Sequence, residues 1–252
     1  MTQKTALVTG GGKRLGASLC EALGADGYRV LVHCNASLAE ADAVAGKIRA
    51  AAGDAEVVQF DLAQTDAVTQ FMASAGRVDV LVNSASIFEM DRPEDVIAAD
   101  LDQAMRINLM APVLLSSEMA KAHTDRSSGN VVNILDQKLF NLNPDFFSYT
   151  LSKHALLGAT TTMAMALAPC VRVNGIAPGI TLPSGGQTQA EFARAHRLNP
   201  MQGGSTPDDI IRTLRFILAT DAMTGEIITV DGGQHLDARD GDVMYAPNVP
   251  EV

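Results

Sequence analysis

Seven short apolar runs recur along the chain, at 5–9, 29–33, 55–60, 78–83, 130–135, 171–176 and 226–230. They are continuous rather than alternating, as expected of strands buried on both faces of a sheet. Ala- and Leu-rich stretches of helical length separate them, among them 15–26, 37–52, 101–122, 149–167 and 207–219. Strand followed by helix, repeated, predicts right-handed crossovers and one doubly wound seven-stranded parallel sheet with helices on both faces, an α/β protein. In such a sheet, ligands bind where the carboxyl ends of the strands converge. The residues just after each predicted strand therefore define a crevice: Gly10 to Gly16, His33 to Ser37, Asp61, Asn83 to Phe88, Asp136, and Pro178 to Thr181.

Composition narrows the picture. The 252 residues are 47% hydrophobic, enough for one large core and a single domain over 1–252. Aromatic residues make up only 4%, with no Trp, so small side chains must fill the space between helices and sheet. The segment 182–206, rich in Gly, Pro, Gln and Ser, exceeds an ordinary connection and is a candidate substrate lid. The polar tail from 235 is either loose or packed on a neighbouring subunit.

A net charge of −10 argues against nucleic-acid and anionic-membrane partners. No apolar run approaches the roughly 18 to 20 residues of a membrane span, and the N-terminus lacks a secretory pattern. Cys20, Cys34 and Cys170 lie far apart, in keeping with reduced thiols and a cytoplasmic setting. Neither they nor the five scattered histidines have metal-ligand spacing, so no metal is expected.

Two stretches carry candidate chemistry. After the first run comes TGGGKRLG, where Gly10, Gly12 and Gly16 would let a pyrophosphate approach backbone N–H groups at a helix start. A plain glycine-rich connection is the alternative. The second strand ends VHCNAS, with no acid to accept hydrogen bonds from an adenosine ribose, and Lys13, Arg14 and Ser37 suit a 2′-phosphate instead. In YTLSK, Tyr149 and Lys153 stand four apart and share a helix face. An ammonium there would lower the Tyr149 pKa and fit the phenol for proton transfer. A solvated helix face would look the same. Asp136 closes an apolar strand, in a position that either serves chemistry or caps a loop.

Taken together these stretches resemble the short-chain dehydrogenase/reductase family over nearly the whole chain. TGGGKRLG is similar to its cofactor turn, NSAS to its N-N-A-G segment, Tyr149 and Lys153 to its catalytic pair, APG to its nicotinamide loop and VDGG to its C-terminal signature. Asn108 in INLMAP matches the helix Asn of its proton relay. Arg14 stands for the middle glycine of the turn, Ser86 for the last glycine of N-N-A-G, and Asp136 for the catalytic serine. These changes coincide in the pteridine reductase subgroup and its short-chain dihydromonapterin and dihydrofolate reductases.

The resemblance implies a Rossmann-fold, NADP(H)-dependent reductase of a ring C=N in a dihydropterin, with Asp136, Tyr149, Lys153 and Asn108 catalytic. It implies cofactor contacts from Gly10, Lys13, Arg14, Leu15, Gly16, His33, Asn35 and Ser37. Further contacts would come from Asp61, Leu62, Ser84, Ala85, Ser86, Lys153, Pro178, Gly179 and Ile180. Arg14, Ser86, Phe88, Asp136 and Tyr149 would contact the substrate, with Phe88 stacking on the pterin. Ala36 departs from the subgroup, which often has Arg there for the 2′-phosphate. A homotetramer built through 101–122 and 149–167 is also implied. The rival readings are a short-chain carbonyl or acyl-chain reductase and a non-catalytic dinucleotide-binding regulator.

Overall fold

The structure is a computed structural model that describes residues 3–126, 128–184 and 186–243. Its sheet has the strands β1 (Thr5–Val8), β2 (Arg29–Cys34), β3 (Asp54–Gln59), β4 (Val80–Asn83), β5 (Gly129–Ile134), β6 (Val171–Pro178) and β7 (Ile227–Val230). All pair in parallel, in the order β3-β2-β1-β4-β5-β6-β7. The chain winds outward from β1 in one direction and from β4 in the other, which opens a crevice between their carboxyl ends.

The continuous apolar runs have the expected cause. Along β1, Ala6 and Val8 enter one core and Leu7 the other, and Val80, Val82 and Leu81 divide the same way along β4. One layer is built from α1 (Arg14–Ala25), α2 (Leu38–Ala50) and α8 (Pro207–Ala219), the other from α3 (Val68–Ala75), α5 (Ala111–Lys121) and α6 (Phe147–Leu167). Helix α8 shows why these residues form helices. Thr206 and Asp209 make a reciprocal capping box, Pro207 occupies the first turn, and Ile210, Leu214 and Ile217 bury one stripe.

The stretch at 101–122 is not one helix. It divides into α4 (Ala98–Met105), a π-helical turn at Arg106–Met110, and α5. Pro112 supplies no N–H in the first turn of α5, and the wide turn before it absorbs the break in the ladder. The segment 182–206 is not structureless either, since it carries the short helix α7 (Gln189–Ala195), started by a Thr188–Glu191 capping box. The tail, as far as Val243, packs on its own chain, and 244–252 lie outside the described residues.

Candidate active site

A cleft of about 870 Å³ lies at the carboxyl ends of the strands. Its floor is the turn after β1. The Thr9 hydroxyl accepts hydrogen bonds from the Ser84 and Ala85 N–H groups, each at 3.0 Å, which brings the segment after β4 against the turn. Gly10 is left-handed (φ +67°), and a Cβ on Gly16 would stand 2.2 Å from the Gly10 carbonyl oxygen. The sequence excludes side chains where the turn must close. Arg14 stands where the family has glycine and keeps a left-handed backbone, φ 52°, at a cost of about 1–2 kcal/mol. Its guanidinium donates to the Pro183 carbonyl and to Ser184 Oγ (3.2 Å), bridging the turn to the start of the segment 182–206.

Most of the expected cofactor residues line this cleft: Gly10, Lys13, Arg14, Leu15, Gly16, His33, Asn35, Ser37, Asp61, Leu62, Ser84, Ala85, Ser86, Pro178, Gly179 and Ile180. Their local tasks differ. His33 does not offer its ring to a phosphate. Nδ1 accepts from the Gly10 N–H (3.1 Å) and Nε2 donates to the Phe60 carbonyl (2.9 Å). Burial pushes its pKa down to about 4, so the ring is a neutral prop under the turn. Lys13 pairs with Glu40 at 2.8 Å on the surface, an acid that the sequence reading did not place at the cleft. Asp61 Oδ1 accepts from the Ala63 N–H (3.0 Å) and turns the chain after β3. The VDGG segment supports the loop after β6. Asp231 accepts from the Gly233 and His235 N–H groups, and Gln234 Oε1 accepts from the Ile180 N–H (3.2 Å).

The acid and the phenol meet. Tyr149, on the first turn of α6, donates its hydroxyl hydrogen bond to Asp136 Oδ2 at 2.6 Å. Asp136 Oδ1 accepts from the Lys138 N–H at 2.8 Å, so both carboxylate oxygens are fixed. Lys153 lies one helical turn on, buried behind the cleft wall, donating from Nζ to the Ile134 carbonyl at 2.7 Å and standing 5.6 Å from the Tyr149 ring centroid. Asn108 sits on the π-helical turn and does not line the cleft. It accepts from the Ser86 hydroxyl (3.1 Å) and the Ile87 N–H (2.9 Å), and donates to the Ile87 carbonyl and Ser152 Oγ, each at 3.0 Å. Every hydrogen-bonding atom of its amide is thus used to clamp the segment after β4 onto α6.

The electrostatics correct one expectation. Tyr149 titrates well above an ordinary tyrosine, because burial disfavours the phenolate and the charge and hydrogen bond of Asp136 add to that. The neighbouring ammonium does not reverse the sign. Burial raises the Asp136 pKa against the opposing Tyr149, Lys138 and Lys153 contacts, and lowers Lys153 to about 8. The phenol is thereby kept protonated beside a carboxyl group that holds a proton more readily than a surface aspartate.

Other cleft residues were missed. Gln137 and Gln187 line the cleft, and the Gln137 Oε1 and Gln187 Nε2 atoms are buried without a protein partner. Lys138 and Asp242 line it too. Only adjacency to Asp136, for Gln137 and Lys138, and membership of the long segment 182–206, for Gln187, were signals in the sequence. Asp242 had none. Among the described residues no three His, Cys, Asp or Glu groups are placed to hold a metal, and no helix is long and apolar enough to cross a membrane.

This turn, this Tyr-Lys helix and this strand order define a class, and the chain belongs to the short chain dehydrogenase family, whose model matches residues 4–193. Among solved structures it is similar to the FolM alternative dihydrofolate reductase 1 of Brucella canis, complexed with NADP. The two are 42% identical, the match covers 94% of this chain and 95% of that one, and the TM-score is 0.87. It is also 32% identical to pteridine reductase 1 of Leishmania tarentolae, over 93% of this chain and 97% of that protein. A 3-oxoacyl-[acyl-carrier-protein] reductase of Synechocystis is equally 32% identical, over 92% of this chain and 97% of that protein.

Proposed function

We propose that the protein is an NADPH-dependent reductase of a ring C=N in a dihydropterin of the dihydromonapterin, dihydrobiopterin or dihydrofolate type. The observation that carries this reading is the 2.6 Å hydrogen bond from Tyr149 to Asp136, an acid where the family usually has a serine. Carbonyl and ring C=N reduction both end with a proton delivered to the heteroatom, but a pterin also carries N–H groups that a carboxyl beside the phenol can accept from and a serine hydroxyl meets less well. A protonated phenol backed by a carboxyl of raised pKa supplies the proton.

The residues fit NADPH. Gly10 and Gly16 form a cradle that a Cβ would fill. Lys13, Arg14, Asn35 and Ser37 line the same cleft and would meet a 2′-phosphate, and Lys153, buried behind the wall, would have further N–H donors for ribose hydroxyls. NADPH, when bound, supplies the hydride. Tyr149 holds the proton at its hydroxyl, Asp136 orients it and accepts from the N–H-rich edge of the heterocycle, and Arg14 is within the same cleft to meet the opposite edge. Phe88 stacks on Phe146, centroids 3.9 Å apart, and stands nearly perpendicular to the Tyr149 ring, centroids 4.9 Å apart. Phe88 lines the cleft, and a flat heterocycle there would pack against this aromatic cluster.

The relative in Synechocystis favours a second reading, a carbonyl or acyl-chain reductase in which Asp136 replaces serine without change of substrate class. Steady-state NADPH oxidation by the purified protein separates the two. Turnover with dihydropterins and not with ketones or 3-oxoacyl thioesters is expected, and the reverse pattern would overturn the proposal.

A further inference from the structure

Asp242, in the chain's own C-terminal segment, lines the same cleft as Asp136 and Tyr149. Residues 237–243 follow the turn at Gln234–Leu236. Asn141 Nδ2 donates to the Asp237 carbonyl (2.8 Å) and the Gln234 carbonyl (3.2 Å), and Val243 is buried. Two charged side chains fasten the end of this segment. Asp145, 2% exposed, accepts from Arg92 Nε at 2.8 Å and Nη2 at 2.7 Å through Oδ1, and from the Asp242 N–H at 2.8 Å through Oδ2. Lys138, also 2% exposed, donates from Nζ to the Asp145 carbonyl, stands 3.9 Å from Asp242 Oδ2 and lies 5.3 Å from the Phe146 ring centroid.

A buried ammonium is costly unless it is paired and hydrogen-bonded, so a methionine or leucine would serve packing better at Lys138. The same residue fixes Asp136 through its backbone N–H and faces Asp242 through its side chain. It therefore ties the proposed catalytic acid and the C-terminal segment into one unit. Phe146, under the Lys138 ammonium, has a left-handed backbone (φ 54°) and carries the ring on which Phe88 stacks.

We propose that Asp242, held in place by Lys138 and Asp145, is a specificity-determining residue that accepts hydrogen bonds from N–H or O–H groups on the substituent of the heterocycle. The assignment rests on the dihydropterin reading given above. A carboxylate accepts hydrogen bonds and donates none, and it repels a second carboxylate. The part of the cleft lined by Asp242 is therefore selective for neutral, hydroxylated substituents over carboxylate-bearing ones.

The test compares the parent protein with Asp242→Asn on two dihydropterins, one with a neutral polyhydroxyalkyl substituent and one with a carboxylate-bearing substituent. NADPH affinity is measured alongside. The substitution should lower kcat/KM for the neutral substrate on the order of tenfold, mainly through KM, and shift the preference towards the carboxylate-bearing one. NADPH affinity should be unchanged. In Lys138→Met, hydrogen exchange of 237–243 in the NADPH-bound protein should rise while the strands stay protected. Should that variant not fold, Asp242→Asn supplies the same exchange measurement. An equal change with both substrates, or a loss in NADPH affinity alone, would overturn the assignment. Absence of any dihydropterin turnover by the parent would instead remove the functional reading, and this assignment with it.

Discussion

At the scale of single residues, His33 is the clearest case of a side chain whose task depends on its surroundings. Strand-end position made it a candidate for the cofactor phosphate, but burial and two backbone hydrogen bonds make it a neutral support for the Gly10 turn. That assignment has a pH signature. The folded-state pKa is about 4 against an ordinary 6.5, so the unfolded chain takes up the proton first as pH falls. The stability contributed by neutral His33 is fully present above about pH 6.5 and is lost as pH falls towards 4, by about 3 kcal/mol at most. Urea unfolding at a series of pH values should show this slope, and His33→Asn should flatten it. An unchanged slope in the variant would show that other groups produce it. The Tyr149 pKa teaches the same lesson. Spacing alone reveals a lysine one turn away, whereas burial and a carboxylate at 2.6 Å decide the direction.

At the scale of elements, the strands were legible because burial on both faces leaves an uninterrupted apolar run, and their ends located the cleft. Helix α8 was legible to its ends, since cap, proline and apolar stripe agree. The α4–π–α5 division was not, because the apolar pattern runs on through Arg106–Met110 while the hydrogen-bond ladder does not. Nor was the place of Asp242 in the cleft, which depends on contacts across 97 positions of sequence. The turn itself was legible in its glycines, and it makes a sharp prediction. Gly16→Ala would place a methyl 2.2 Å from the Gly10 carbonyl oxygen, against backbone that cannot give way. NADPH affinity should fall by more than tenfold, read by fluorescence titration, even if the remainder of the sheet folds. Ordinary affinity in this variant would mean that the turn is not the cofactor cradle.

At the scale of the whole molecule, the chain buries two apolar layers yet leaves large side chains on its helical surface. Met110, Leu151 and Met165 are 39%, 40% and 79% exposed, on the π-helical turn before α5 and on α6. An interface through these helices would cover these side chains. The proposed assembly is a homotetramer through these helices, and light scattering on the purified protein should give four times the 26.5 kDa chain mass. Charge substitutions at Leu151 and Met165 should reduce that mass. A monomer at micromolar concentration would contradict the assembly while leaving the active-site reading intact.

All three scales meet at one contact, between the acid that closes β5 and the phenol that opens α6. The most direct measurement is dihydropterin turnover by Asp136→Ser at saturating NADPH, paired with NADPH affinity for the same variant. A fall in kcat of about a hundredfold or more is expected, the usual range for removing a positioned proton-transfer group, with NADPH affinity unchanged. Equal losses in turnover and cofactor affinity, or turnover that survives the substitution, would contradict it.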